Sequence, residues 1–551
     1  MIFNEGKDEA IWEKIRTDES YEKCRSQLKM WYDKYCTHPM QMLPYSSFTE
    51  YRDTGNRVNY EHLYFAHRAR LAVSFLYYMI YRTDEYKRLL CDTVWGICDE
   101  YCWCLSAHIR DWSRLDEEQR RWIDLFASET GAALAEIKAL APQALDDTIK
   151  KRIHRELTER ILIPYQNNDF YWEHWAENWN AVCTGSVAIC IMYEFPELAK
   201  SFEKRWLDAM DIFLEEFGDD GCCTEGISYW TYGFGYFVYF AAAYRQFTGG
   251  KIDLFKKDIV GKTARFQQNM FLCTGDAVNF ADCEDYSACY DGITNFLCAE
   301  YEDVSPPNTK TTILNFEHME CFSLIPLIRN FVWSKNDKSG GANDFYYYKN
   351  TGWYIRNTDK IGFAAKCGNN DEAHNHNDVG SFILSTKTGA KVIDLGSGVY
   401  DKDYFSKDGR YNIINCSSKG HSAPIINSEA QKEGKEYRGE VIKVDKTTFY
   451  MDISGAYEKG ISFKRKFTVY ESSVTMEDNF SGNVCDRIIL SAEPQKISGG
   501  AFRAGDLVIK IDKDDVTVTK LDYFKHDGTK SECFALDIHA TDGCKIIFEA
   551  E

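Results

Sequence analysis

Positive charge is scarce in this chain. Its 551 residues carry 65 Lys and Arg against 85 Asp and Glu, a formal net charge of −20. No global positive field would attract a polyphosphate, which argues against DNA or RNA as the partner. A densely sulfated polymer would need basic residues gathered locally in a cleft. Long hydrophobic runs are missing as well, so no membrane-spanning helix is expected. The start, Met1-Ile2-Phe3-Asn4-Glu5-Gly6-Lys7-Asp8, has neither a basic n-region nor an apolar h-region. A cytoplasmic protein is expected, or a secreted or periplasmic one whose signal has been removed. The 20 cysteines form no paired C-x-x-C zinc pattern. Many fall in helix-like segments, where a thiol behaves as a small apolar group, and reduced cysteines are expected. There is no P-loop, no G-x-G-x-x-G after a strand and no G-x-S-x-G elbow.

What is present is enough apolar and aromatic surface, 44% and 15% of residues, for large cores in two or three domains. The first half reads as helices. Ala72, Phe75, Leu76 and Met79 follow the i, i+3, i+4, i+7 rule within Tyr60–Tyr81. Similar patterns run through Leu89–Leu105, Glu117–Leu140, Asp146–Ile163, Asn180–Tyr193, Leu198–Phe217 and Ile227–Phe247, with short connections that favour antiparallel hairpins. From Phe345 onward strands dominate. Ile461, Phe463, Arg465, Phe467 and Val469 alternate with polar residues, which predicts an antiparallel β domain of stacked sheets. Ser334–Asn343 reads as the linker, so the expected domains are 1–333 and 334–551.

Histidine is rare, 12 in all, yet His374-Asn375-His376-Asn377-Asp378 holds two. In an extended segment His374, His376 and Asp378 would share a face. Such crowding suits a metal, an anionic ligand or proton transfer. Zinc needs three or four ligands, and Asp394 at a strand end and His421 in a loop are reasonable additions. A hydrogen-bonded histidine network at a domain seam fits the same spacing. A second constellation, Glu225-Gly226-Ile227-Ser228-Tyr229-Trp230-Thr231-Tyr232, continues to Tyr236. On a regular helix Tyr229, Tyr232 and Tyr236 share a face, as a ligand site or as an aromatic core stripe. A third, Tyr171–Asn180, brings His174, Glu177 and Asn178 within one turn, as a polar cluster or a solvated cap. Glu225, Asp219, Asp220 and Asp282 supply carboxylates for glycoside hydrolysis if two of them face each other.

Taken together these segments resemble the heparinase II/III family of polysaccharide lyases across most of the chain. The sharpest match is His374-x-His376-x-Asp378-x-Gly380-x-Phe382. Val392–Gly398, Arg410-Tyr411 and His421 are similar to the family's later blocks. Glu225–Trp230 resembles the block with the catalytic tyrosine, and Asn178-Trp179-Asn180 the asparagine/histidine helix. The resemblance implies an α+β architecture: an incomplete N-terminal (α/α) toroid, then a C-terminal antiparallel β-sandwich. It also implies β-elimination of a uronic-acid polymer, of glycosaminoglycan or alginate type, in the cleft between them. Tyr229 is then the expected base and acid, with Tyr232 the competing register, and His374 the second proton-transfer residue. His174, Glu177 and Asn178 are expected around the uronate carboxylate, with Glu225, Tyr232, Trp230 and Arg410 as further substrate contacts. His376, Asp394 and His421 match a structural zinc site. A tyrosinate base would need neighbouring positive charge to lower its pKa.

Two other readings compete. A glycoside hydrolase on a helical toroid would release saturated sugars, and a non-catalytic glycan-binding protein would leave the sugar intact. The expected partner is a uronate polysaccharide or oligosaccharide, and a homodimer is compatible with the sequence.

Overall fold

Alternation organises the C-terminal half. Along Phe463–Val469 every second residue is buried, as expected for a strand with one face on a core. The protein is described by a computed structural model covering residues 2–114, 117–284, 289–309, 321, 323–334, 340–458 and 462–551. Ile461 and residues 335–339 of the expected linker lie outside the described residues. Phe463–Val469 belongs to an eight-stranded antiparallel sheet, paired with Thr448–Asp452 on one side and Ser473–Phe480 on the other. A second antiparallel sheet runs from Phe345–Tyr348 through Trp353–Asn357, Gly362–Lys366, Phe382–Thr386 and Gly389–Val392 to Val484–Leu490 and beyond. The sheets meet face to face through aromatic rings. Phe382 lies 5.0 Å from Phe467 and 5.5 Å from Phe548, and Tyr354 stacks on Phe449 at 5.0 Å. This is the expected β-sandwich.

One charged group crosses that core. Arg465, fully buried, bonds both Asp478 on its own sheet and Asp486 on the opposite one, and donates to the Gly380 and Ser422 carbonyls. Arg465→Met should cost about 3–5 kcal/mol, because it strands two buried carboxylates without their cation. Denaturant unfolding measures this.

The N-terminal half is helical. Asn178–Glu194 is buried along nearly its whole length and packs against Leu125–Leu140, Ala199–Leu214 and Gly235–Phe247. The two ends of this half meet. Arg329 on the last helix, Leu324–Val332, pairs with both oxygens of Glu136 at 2.6 and 2.9 Å and lies over the Phe3 ring. Trp333 donates to Glu5 at 2.7 Å. Several expected helices differ from their sequence outlines, among them Asp146–Ile163, which carries a π turn at Thr158–Leu162. Leu89–Leu105 ends at Asp99, and Glu117–Leu140 breaks into Glu117–Arg120 and Leu125–Leu140. Ile227–Phe247 carries a π turn at Trp230–Phe234. Among the described residues no helix is long and apolar enough to cross a membrane.

The halves lock at a seam. Asn279 donates to the Asp394 carbonyl at 3.2 Å, and Asp220 accepts from the Asn350 backbone at 3.0 Å. Gly396, at φ +62°, passes so close to the Cys283 carbonyl that a Cβ would lie 2.1 Å from it.

Candidate active site at the seam

The histidine segment is a loop, not a strand, between Gly362–Lys366 and Phe382–Thr386. His374 takes a left-handed backbone, φ +54°, and so does Ala281 across the seam, φ +64°. Such strain at two facing non-glycine residues accompanies functional sites. It aims His374 and Asp282 at each other. His374 Nδ1 lies 2.8 Å from one Asp282 oxygen, and His376 Nε2 lies 2.8 Å from the other. Arg410 donates to both oxygens at 3.0 and 3.1 Å, and the Tyr404 hydroxyl donates as well. Burial alone would raise the Asp282 carboxyl, but Arg410 and the two imidazoles hold it well below its ordinary range. Burial works against charge on His374, yet Asp282 and Glu225 outweigh it and shift that imidazole upward.

The helical half supplies the other wall. Asn178 begins its helix, with Glu177 as N-cap. Its side-chain amide bonds both Glu225 oxygens at 3.1 Å. The helices approach closely here because Gly233 has no side chain; a Cβ there would lie 3.0 Å from that of Asn178. Glu225 is fully buried, with His374 Nε2 3.7 Å away. Burial and the neighbouring Glu216 carboxyl push it upward against the pull of His374, and so favour its protonated, hydrogen-bond-donating form. Glu216 itself is pushed up to about 8 by burial. Between its ordinary value of 4.5 and about 8 the folded chain keeps a proton that the unfolded chain has lost. The stability from this group is therefore complete below 4.5 and is lost as pH rises through about 8. Thermal unfolding should move to lower temperature as pH rises from about 4.5 to about 8, and by less in Glu216→Gln.

The tyrosine stripe splits at the π turn, which adds a residue and rotates the helix beyond it. Tyr229 faces the sandwich: its ring stacks on His374 at 4.0 Å and its hydroxyl meets that of Tyr400 at 2.8 Å. Tyr232 turns inward to Glu129 instead. The expectation that Tyr229, Tyr232 and Tyr236 share one face therefore fails. Trp230 is wholly buried and donates to the Thr263 carbonyl at 2.9 Å, so it is a core residue rather than a sugar platform. His174 stays outside this cluster, exposed and paired with Asp169 at 2.9 Å. The anticipated lowering of the Tyr229 phenol is reversed. Burial and the Asp282 charge raise it, against smaller pulls from Tyr400 and Arg410.

Behind the loop lies the anticipated ligand set. His376, Asp394 and His421 are buried, with one ligand atom from each lying within 4.8 Å of the others. His421 Nε2 faces the Asn415 carbonyl at 2.8 Å while its Nδ1 faces Asp394 at 2.9 Å. His376 Nε2 is engaged by Asp282, and its Nδ1 is buried without a hydrogen-bond partner. Each imidazole thus has Nε2 anchored on an oxygen and Nδ1 left for the space beside Asp394, the orientation a metal-binding histidine needs. Asp378 forms a buried ion pair with Lys366 at 2.7 Å and reaches His421 only through its charge.

Above the site opens a cleft of about 800 Å³, floored by His374 and Asn375 and bordered by Glu177, Trp179, Tyr404 and Arg410. Sequence reasoning named Asp282 only as a hydrolase carboxylate and missed Tyr400, Tyr404 and Glu216. Tyr400 and Tyr404 lie between two blocks that the resemblance had marked, 392–398 and 410–411. No motif marked Glu216.

No family model and no curated protein sequence matches the chain. Solved structures do. A heparinase III superposes with a TM-score of 0.61 at 11% identity, over 98% of this chain and 92% of that one. The heparan sulfate lyase HepC from Pedobacter heparinus gives 0.55 at 12%, over 98% and 93%. Chondroitin AC lyase from Streptomyces coelicolor gives 0.51 at 11%, over 96% and 82%. The fold is theirs. The helical half is therefore an (α/α) toroid followed by an antiparallel β-sandwich, and the resemblance read from the sequence holds at the level of architecture.

Proposed function

We propose that the protein is a polysaccharide lyase that cleaves uronate-containing glycans by β-elimination, leaving 4,5-unsaturated ends. One observation carries the reading: Tyr229, Asn178 and Glu225 from the helical half converge on His374, which lines the cleft. The C5 proton of a uronate is weakly acidic, and its removal builds charge on the adjacent carboxylate. Asn178, and Glu225 in its protonated form, are suited to donate hydrogen bonds to that carboxylate. His374, with Nδ1 fixed on Asp282, presents Nε2 as the base. Tyr229 keeps its proton and delivers it to the departing 4-oxygen. This assigns the base to His374 rather than to a tyrosinate. A hydrolase is less well supported. Asp282 is occupied by four donor side chains, Asp220 bonds backbone at the seam, and Asp219 lines a different cavity. The test is a panel of uronate polymers followed by near-ultraviolet absorbance. Unsaturated product supports the lyase; saturated sugars, or unchanged polymer throughout, sink it.

A structural zinc ion fits the His376, Asp394 and His421 set, whose two Nδ1 atoms and one carboxylate leave a fourth position for water. Bound there, it would neutralise Asp394 and pin the histidine loop to the sandwich. Elemental analysis should find zinc in the purified protein. Chelation, or His421→Ala, should lower the unfolding temperature. Zinc-free protein with an unmoved transition would dismiss the ion.

A further inference from the structure

Resting on the lyase reading, we propose that the substrate is an unsulfated uronate glycan, one carboxylate per repeat, and that the acidic cleft wall excludes ester sulfates. Five carboxylates line the cleft: Glu177, Asp371, Glu372, Glu433 and Glu436. Its three cationic side chains offset them poorly. Arg410 is committed to Asp282 and to the Asn375 carbonyl. Lys407 is largely exposed, 3.9 Å from Glu433. That leaves Lys435, which is exposed at the rim. Glu372, pushed up to about 7 by burial and lying 3.8 Å from the Lys366 ammonium, moderates the imbalance without reversing it.

A sulfate needs fixed donors or cations, whereas carboxylates are acceptors that suit the hydroxyls of a neutral sugar face. The single uronate charge has its own donors in Asn178 and Glu225, so it does not need the wall. Each added sulfate would meet like charge, and the net charge of −20 gives it no compensating long-range attraction.

The experiment compares chondroitin and heparan backbones, each as the sulfated polymer and after chemical desulfation, by unsaturated product formed. The desulfated chain of the accepted backbone should show a kcat/KM at least about 100-fold above its sulfated twin. Residual cleavage of the sulfated chain should rise as NaCl goes from about 20 to 200 mM, because salt screens repulsion. Glu433→Gln/Glu436→Gln should improve cleavage of the sulfated chain about tenfold. Equal or better cleavage of the sulfated chain, or a rate on it that falls with salt, overturns this inference and leaves the lyase reading standing. No unsaturated product from any of the four polymers overturns this inference, and none from the wider uronate panel overturns both.

Discussion

Tyr229→Phe should reduce kcat by about 10²–10⁴-fold with KM little changed, the cost of removing a positioned general acid. The substitution is conservative for the fold. Phenylalanine keeps the ring that stacks on His374 at 4.0 Å and gives up only the hydroxyl contact with Tyr400 at 2.8 Å. The expected result is therefore a variant with unaltered thermal unfolding, normal substrate binding and almost no turnover. Tyr400→Phe is the companion measurement. It removes the partner but not the proton donor, so turnover should fall only a few-fold. Full turnover in Tyr229→Phe would remove Tyr229 from the proton-transfer step. Equal losses in the two variants would mean that the hydroxyl pair acts as one unit.

The architecture was legible because it rests on periodicity. The alternation through Phe463–Val469 and the helical spacing in Val58–Tyr81 both survive in the structure, since each buries one continuous apolar surface. The site was legible only where a local pattern marked it. His374, Tyr229, Asn178 and Glu225 sit in distinctive segments and do converge. What failed did so through backbone geometry that residue types do not encode. A π turn separates Tyr229 from Tyr232, and an irregular loop replaces the strand that would have aligned His374, His376 and Asp378. His174 reads as a partner of Asn178 on a helix. The chain instead makes a short turn at Tyr171–His174, and the longer helix begins only at Asn178. Asp282 reads in the sequence only as a possible hydrolase carboxylate, because its importance comes from four side chains that are distant in sequence.

Asp282 also carries the second large prediction. It is buried, and it joins the proposed base, the proposed metal ligand His376, Arg410 and Tyr404 in one hydrogen-bonded unit. Asp282→Asn keeps the shape but replaces one acceptor oxygen with an NH₂ donor, which now faces a donor from either a histidine or Arg410. If it faces His374, the imidazole loses the acceptor that fixes its tautomer, and Nε2 no longer presents a lone pair to the sugar. Turnover should drop about 10²–10⁴-fold. If it faces His376, the other face of the same residue suffers, and zinc affinity should fall about 10–100-fold, as it does when a carboxylate behind a metal-bound imidazole is lost. Arg410 is then left against a neutral amide, and stability should decrease by about 3–5 kcal/mol. Turnover, zinc content and unfolding free energy, measured on one variant, separate these effects. A loss of stability with kcat and zinc content intact would make Asp282 a brace for Arg410 alone. Loss of turnover with zinc retained would place its main role on His374. Loss of zinc with turnover retained would place it on His376.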